Sequence, residues 1–125
     1  MVFEEMQITE LREYERFKVN TEAYVAFVPY SSRHGKIIDI SEKGLSFKYI
    51  PGEKPTGKKL MAILIHGREV FLKDIWFIPV CDCEIKNSKV FNLKKERKCG
   101  GKFVDLTSDQ TAKLEFFIKN YTSLS

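Results

Sequence analysis

The sequence predicts a mainly β protein: a six- to seven-stranded antiparallel β-barrel with one C-terminal α-helix and a flexible N-terminal arm. Three observations carry this. Apolar and polar residues alternate over several short runs, the period of half-buried strands. Clusters of Gly, Pro, Ser and Asp separate those runs at short intervals, as in small all-β domains. Only the C-terminal stretch changes to helical spacing, with Leu114, Phe117, Ile118 and Tyr121 along one face.

At 125 residues, 43% of them apolar and 30% charged, the chain has enough material for one core and one domain. Residues 1–16 mix Phe3, Met6, Ile8 and Leu11 with charged side chains and carry no clear cap or stop, so they read as a mobile arm before a barrel over 17–125. Phe17, Val19, Thr21, Ala23, Val25 and Phe27 share one parity, which predicts a single strand ending near Pro29. YSSRHG at 30–35 has turn composition. KIIDI and LSFKYI then form a hairpin about Ser41-Glu42-Lys43-Gly44. PGEKPTG at 51–57 is a loop, KKLMAILIHG resumes strand character, and His66-Gly67-Arg68 turns the chain. Glu69 to Ile85 is long enough for a bent strand or one broken near Pro79. Val90 to Leu93 offers a further short strand, and CGGKFVDL at 99–106 closes the β-region, its glycines marking a bulge or close approach. Thr107 with Gln110 is a capping-box signature for a helix over Ser108–Tyr121.

Composition narrows the function classes. No run approaches the roughly 20 apolar residues that cross a bilayer, and the N-terminus is acidic where a signal peptide is basic, so a cytoplasmic location without membrane insertion is expected. A formal charge of +4 is mild and falls short of the dense basic stripe of a duplex binder, so no nucleic-acid partner is expected. KKERK at 94–98 reads as a solvated turn. Phe71, Trp76, Phe77, Phe116 and Phe117 interleave with Ile and Val and read as core rather than as a stacking platform for single strands. Three cysteines are an odd number, which favours reduced thiols. A zinc site from Cys81, Cys83, Cys99 and His66 is disfavoured because Cys-x-Cys in a strand lacks a ligand loop; partly buried thiols packing as small hydrophobes are the simpler reading. His34 and His66 sit in turns and read as surface residues. No nucleophile–base pair, carboxylate pair or metal cluster emerges, so neither an enzyme nor a cofactor is expected.

Two patterns remain. Arg12-Glu13-Tyr14-Glu15-Arg16 precedes the first strand, and Asp39-Ile40-Ser41-Glu42-Lys43-Gly44 occupies the hairpin, 22 residues after Arg16. Together they resemble the PilZ signature, RxxxR followed by [D/N]x[S/A]xxG, and the order of strands, GGKFVDL and terminal helix resembles a PilZ domain over nearly the whole chain. The resemblance implies a stand-alone receptor for cyclic di-GMP in bacterial signalling of motility or biofilm formation, with Arg12, Arg16, Asp39, Ser41 and Gly44 as the binding site.

The residue chemistry suits that ligand. A guanidinium grips a phosphate or the O6/N7 edge of guanine in a fork and stacks on a purine. A carboxylate at Asp39 accepts from guanine N1 and N2, the Ser41 hydroxyl bonds a phosphate oxygen or a base edge, and Gly44 supplies a positive φ and a close backbone approach. Leu11 stands where PilZ-like sites with a stacked ligand pair tend to carry another arginine, which favours one ligand per domain; Arg33, Lys36 and Arg68 are alternative sources of that contact. The expected mechanism is ordering of the arm by the ligand, presenting a new surface to a downstream protein partner. Against this stand blander roles: Arg12 and Arg16 paired with Glu10, Glu13 or Glu15, and Asp39 and Ser41 capping turn amides. Two other functions stay open, a PilZ-like adaptor of pilus or motility machinery that binds no nucleotide, and a small OB-like nucleic-acid binder.

Overall fold

In the computed structural model, residues 15–28, 34–50, 57–66, 69–85 and 96–124 are described. Along the chain the strands are β1 (Phe17–Val19), β2 (Ala23–Phe27), β3 (Gly35–Ile40), β4 (Gly44–Tyr49), β5 (Lys59–Ile65), β6 (Glu69–Glu84) and β7 (Arg97–Val104). Helix α1 (Ser108–Tyr121) and strand β8 (Thr122–Leu124) follow. Six strands run antiparallel in the order β2-β5-β6-β7-β4-β3, and β3 pairs back onto β2 to close the barrel. β1 and β8 extend the sheet beyond that ring, β1 pairing with both β3 and β8. Residues 1–14 of the arm, the segments at 29–33, 51–56, 67–68 and 86–95, including the strand expected at Val90 to Leu93, and residue 125 lie outside the described residues.

The barrel agrees with the expected fold, but its first strand is two. β1 pairs Phe17 with Ile40 and Lys18 with Asp39, whereas β2 pairs Tyr24 with Lys36 and Val25 with Gly35. Continuing the first register would set Thr21, not Tyr24, opposite Lys36, so extra residues bow out at Asn20–Glu22. The Asn20 amide donates to the Tyr121 carbonyl there, 2.9 Å away. The period-two pattern runs through the break because both strands bury the same parity, which is why the sequence does not reveal it.

β6 is one strand of 16 residues rather than two. It bends at bulges instead of breaking: one residue is extra between Leu72 and Ile75, where Asp74 has φ 60°, and another lies between Pro79 and Cys81. The interior is filled by Phe47, Phe77, Met61, Ile63, Ile75, Ile40 and Leu45, and the helix contributes Leu114 and Phe117. The capping box forms as expected. Gln110 N–H donates to Thr107 Oγ1 and Thr107 N–H donates to Gln110 Oε1, each at 3.1 Å. Gln110 Nε2 then donates to the carbonyls of Lys73 (3.2 Å) and Asp74 (2.9 Å), so one side chain both starts the helix and ties it to the β6 bulge.

Several surface assignments are corrected. Trp76 and Phe116 are exposed, with Lys58 Nζ 5.0 Å from the Trp76 ring centroid, because both sit on outward-facing positions; Phe77 and Phe117 are buried as expected. His34 is not a surface residue: its ring packs against Phe27, Phe47 and Tyr49. Cys81 and Cys83 are exposed and only Cys99 is buried. Among the described residues no helix is long and apolar enough to cross a membrane.

Candidate functional site

The site is made by a bulge in β3. Ile37 faces Phe47 but Asp39 faces Ser46, so Ile38 is an extra residue in the ladder. Without it, strict alternation would put Asp39 on the same inward face as Ile37. With it, Ile37 and Ile40 both face the core and Asp39 turns outward. Residues directly opposite in an antiparallel sheet share a face. Lys18 on β1, Asp39 on β3, Ser46 on β4, Gly100 on β7 and Cys81 on β6 therefore form one row across the outside of the barrel.

Asp39 Oδ1 is the centre of the polar contacts. It accepts from Ser46 Oγ at 2.8 Å and from Arg16 Nη1 at 3.0 Å. Ser46 is buried, the Asp39 side chain is 18% exposed and that of Arg16 is 58% exposed. The serine thus holds the carboxylate in place from beneath, while the arginine closes over it from solvent. An ion pair this exposed is worth only about 0–1 kcal/mol. Oδ2 has no hydrogen-bond partner among the described residues.

Ser41 and Gly44 serve the turn. Ser41 Oγ accepts from the Lys43 and Gly44 amides, both at 3.2 Å, and donates to the Gly44 carbonyl at 3.4 Å, while its own amide donates to that carbonyl at 2.8 Å. The hydroxyl expected to meet a phosphate or base edge is thereby committed to backbone, and the residue is buried. The expectation of positive φ at Gly44 is corrected: it begins β4 in extended conformation. It must be glycine because a Cβ would be driven into the Gly101 carbonyl of β7. The Phe103 amide donates to the Lys43 carbonyl at 2.8 Å, fastening the turn to the same strand. The structure thus brings together Arg16, Asp39, Ser41 and Gly44; Arg12 and Leu11 lie outside the described residues.

Sequence reasoning singled out Lys36 as an alternative contact but missed Ser46, Gly100 and the lysines in register with it. Lys36 on β3, Lys48 on β4 and Lys98 on β7 are in register as a second outer row next to the first, and Lys102 stands opposite Gly44. Among the described residues none of these four lysines takes part in an ion pair. With Arg16, Lys18 and Lys43 they make this side of the barrel cationic around one outward carboxylate. The signal was present as alternate residues of LSFKYI and RKCGGK, readable only once the pairing of β4 with β7 is known.

No family model matches the chain, and no curated protein matches it in sequence. Among solved structures the chain is similar to "MrkH, A novel c-di-GMP dependence transcription regulatory factor", with a TM-score of 0.61 and 13% identity over 87% of this chain. The match covers 50% of that protein, so the chain spans about half its length. At this identity the likeness is one of fold alone, with part of that protein.

Proposed function

We propose that the chain is a cyclic di-GMP receptor whose ligand lies on the outer face of β3, β4 and β7. The observation that carries this reading is the juxtaposition of Arg16 with an outward-turned Asp39, fixed by buried Ser46 and ringed by lysines. A guanine edge needs both an acceptor for its N1 and N2 hydrogens and a donor fork for O6 and N7, and the phosphodiesters need cations. The fold shared with part of a c-di-GMP-dependent regulator and the PilZ-like motif support the same ligand. Ligand binding opens the Arg16–Asp39 pair and moves Arg16, with the segment before it including Arg12, onto the nucleotide; the rearranged surface is what a downstream protein reads. The same reading makes the chain a binding module of the bacterial cytoplasm without catalysis, taking one ligand per domain.

Calorimetric titration with cyclic di-GMP, against GTP and cyclic di-AMP, tests this. Selective binding is expected, weakened about 5- to 150-fold by Arg16→Ala or Asp39→Ala, since a lost charged hydrogen bond costs about 1–3 kcal/mol. Ser46→Ala unties Asp39 without removing it and weakens binding less. The commitment of Ser41 Oγ to its own turn favours a second reading, an adaptor in which the motif is only structural. A folded chain that binds no nucleotide would overturn the receptor reading and favour the adaptor instead.

A further inference from the structure

We infer that Cys81 and Cys83 form a modification site for an anionic low-molecular-weight disulfide, and that the adduct closes the nucleotide face. The second half rests on the receptor reading above. Both thiols are exposed on the outer face of β6, two residues apart on an extended strand. Cys83 stands directly opposite Lys98, which stands opposite Lys48, itself opposite Lys36, so a row of three lysines leads to the thiol. Such a row concentrates an anionic reagent at the sulfur beside it. Cys81 stands opposite Gly100, and a Cβ on that glycine would lie 3.1 Å from Cys81 Sγ and 3.9 Å from Ser46 Cβ. Gly100 thus places no side chain between that thiol and Ser46, the residue that holds Asp39.

The chemistry is thiol–disulfide exchange. The Cys83 thiol loses its proton and its sulfur attacks one sulfur of the disulfide; a new S–S bond to the protein forms, the original S–S bond breaks, and the displaced thiolate takes up the proton. The exchange would ordinarily be completed by a neighbouring cysteine expelling the adduct to leave an internal disulfide. The strand prevents that. Residues i and i+2 have parallel side chains separated by about 7 Å, against the Cβ separation of about 3.5–4.5 Å that a disulfide requires. The mixed disulfide therefore persists until a reductant removes it. From Cys81 the adduct crosses two strand spacings, about 10 Å, to cover Ser46, within reach of a tripeptide at about 3.5 Å per residue, and there it lies beside Asp39 on the next strand.

The test treats the folded full chain with glutathione disulfide and follows intact mass with peptide mapping. Expected are glutathionyl adducts on Cys81 and Cys83, none on buried Cys99, and no species that has lost two hydrogens. The rate should fall several-fold in Lys48→Gln/Lys98→Gln, while the rate with uncharged 2-hydroxyethyl disulfide should not change. An internal disulfide, no adduct, or equal rates in the lysine variant would overturn the site. For the gate, adducted protein should bind cyclic di-GMP at least tenfold more weakly, recover with dithiothreitol, and be immune to treatment as Cys81→Ser/Cys83→Ser. Unchanged affinity of the adduct would overturn the gate. Failure of the untreated protein to bind would instead overturn the receptor reading and the gate with it, leaving the mass readout to decide the site.

Discussion

Two residues of the recognised motif, Asp39 and Gly44, show how one pattern mixes recognition with construction. Asp39 is outward only because Ile38 is extra in the ladder, and its carboxylate is held by Ser46, a residue outside the motif. Gly44 is required by the backbone of β7, not by a ligand, since any Cβ there meets the Gly101 carbonyl. Gly44→Ala should therefore destabilise the chain with no ligand present, by about 1–3 kcal/mol as overpacked sites do. Urea unfolding checks this: an unchanged midpoint with weakened nucleotide binding would show that the glycine serves the ligand instead. The sequence reveals the residue types of the site but not their roles. The Asp39–Ser46 contact depends on a one-residue bulge that apolar spacing does not encode, and Ser41 carries the same letter whether its hydroxyl meets a phosphate or a turn amide.

At the scale of elements, what the sequence makes legible is what local forces decide. The helix bounds at Ser108 and Tyr121 follow from the reciprocal capping of Thr107 and Gln110 and from one apolar stripe, all within a few residues of each other. The hairpin of β3 and β4 follows likewise from its turn. The division between β1 and β2 does not, because it is set by a distant partner: the chain must leave the edge of β3 near Asp39 and rejoin it near Gly35, and Tyr121 fixes the bow. The exposure of Trp76 and Phe116 is decided by which parity of β6 and which face of α1 lies inward. Gln110 joins the two kinds of element. Gln110→Ala loses a cap and the donor to two carbonyls of the β6 bulge, whereas Thr107→Ala loses only the cap. A cost of about 1 kcal/mol is expected for Thr107→Ala and about 2–3 kcal/mol for Gln110→Ala. Equal melting temperatures for the two variants would mean the bulge contacts contribute nothing.

Across the whole molecule the outer cationic face is backed, on the inner side of the same strands, by a cluster of opposite design. Asp82 Oδ1 accepts from Arg97 Nε at 2.6 Å, Asp82 Oδ2 accepts from the Tyr49 hydroxyl, and buried Cys99 stands opposite Asp82 on β7. The hydrogen bond that Arg97 donates to Asp82 raises the Arg97 pKa. Burial, then the hydrogen bond and charge of Asp82, push Tyr49 up from 10.0 to about 12, with Arg97 opposing. Burial, with the charges of Asp82 and Cys81 behind it, pushes Cys99 up from 9.0 to about 12. Both groups are neutral when protonated and both hold their proton more tightly folded than unfolded. Their contribution to stability is therefore complete below about pH 9 and is lost as pH rises toward 12. The melting temperature should stay level from neutral pH to about 9 and then fall steeply, and Tyr49→Phe/Cys99→Ala should flatten that fall. If wild type and double variant lose stability in parallel, the alkaline transition does not arise from Tyr49 and Cys99, and the cluster around Asp82 has no part in it.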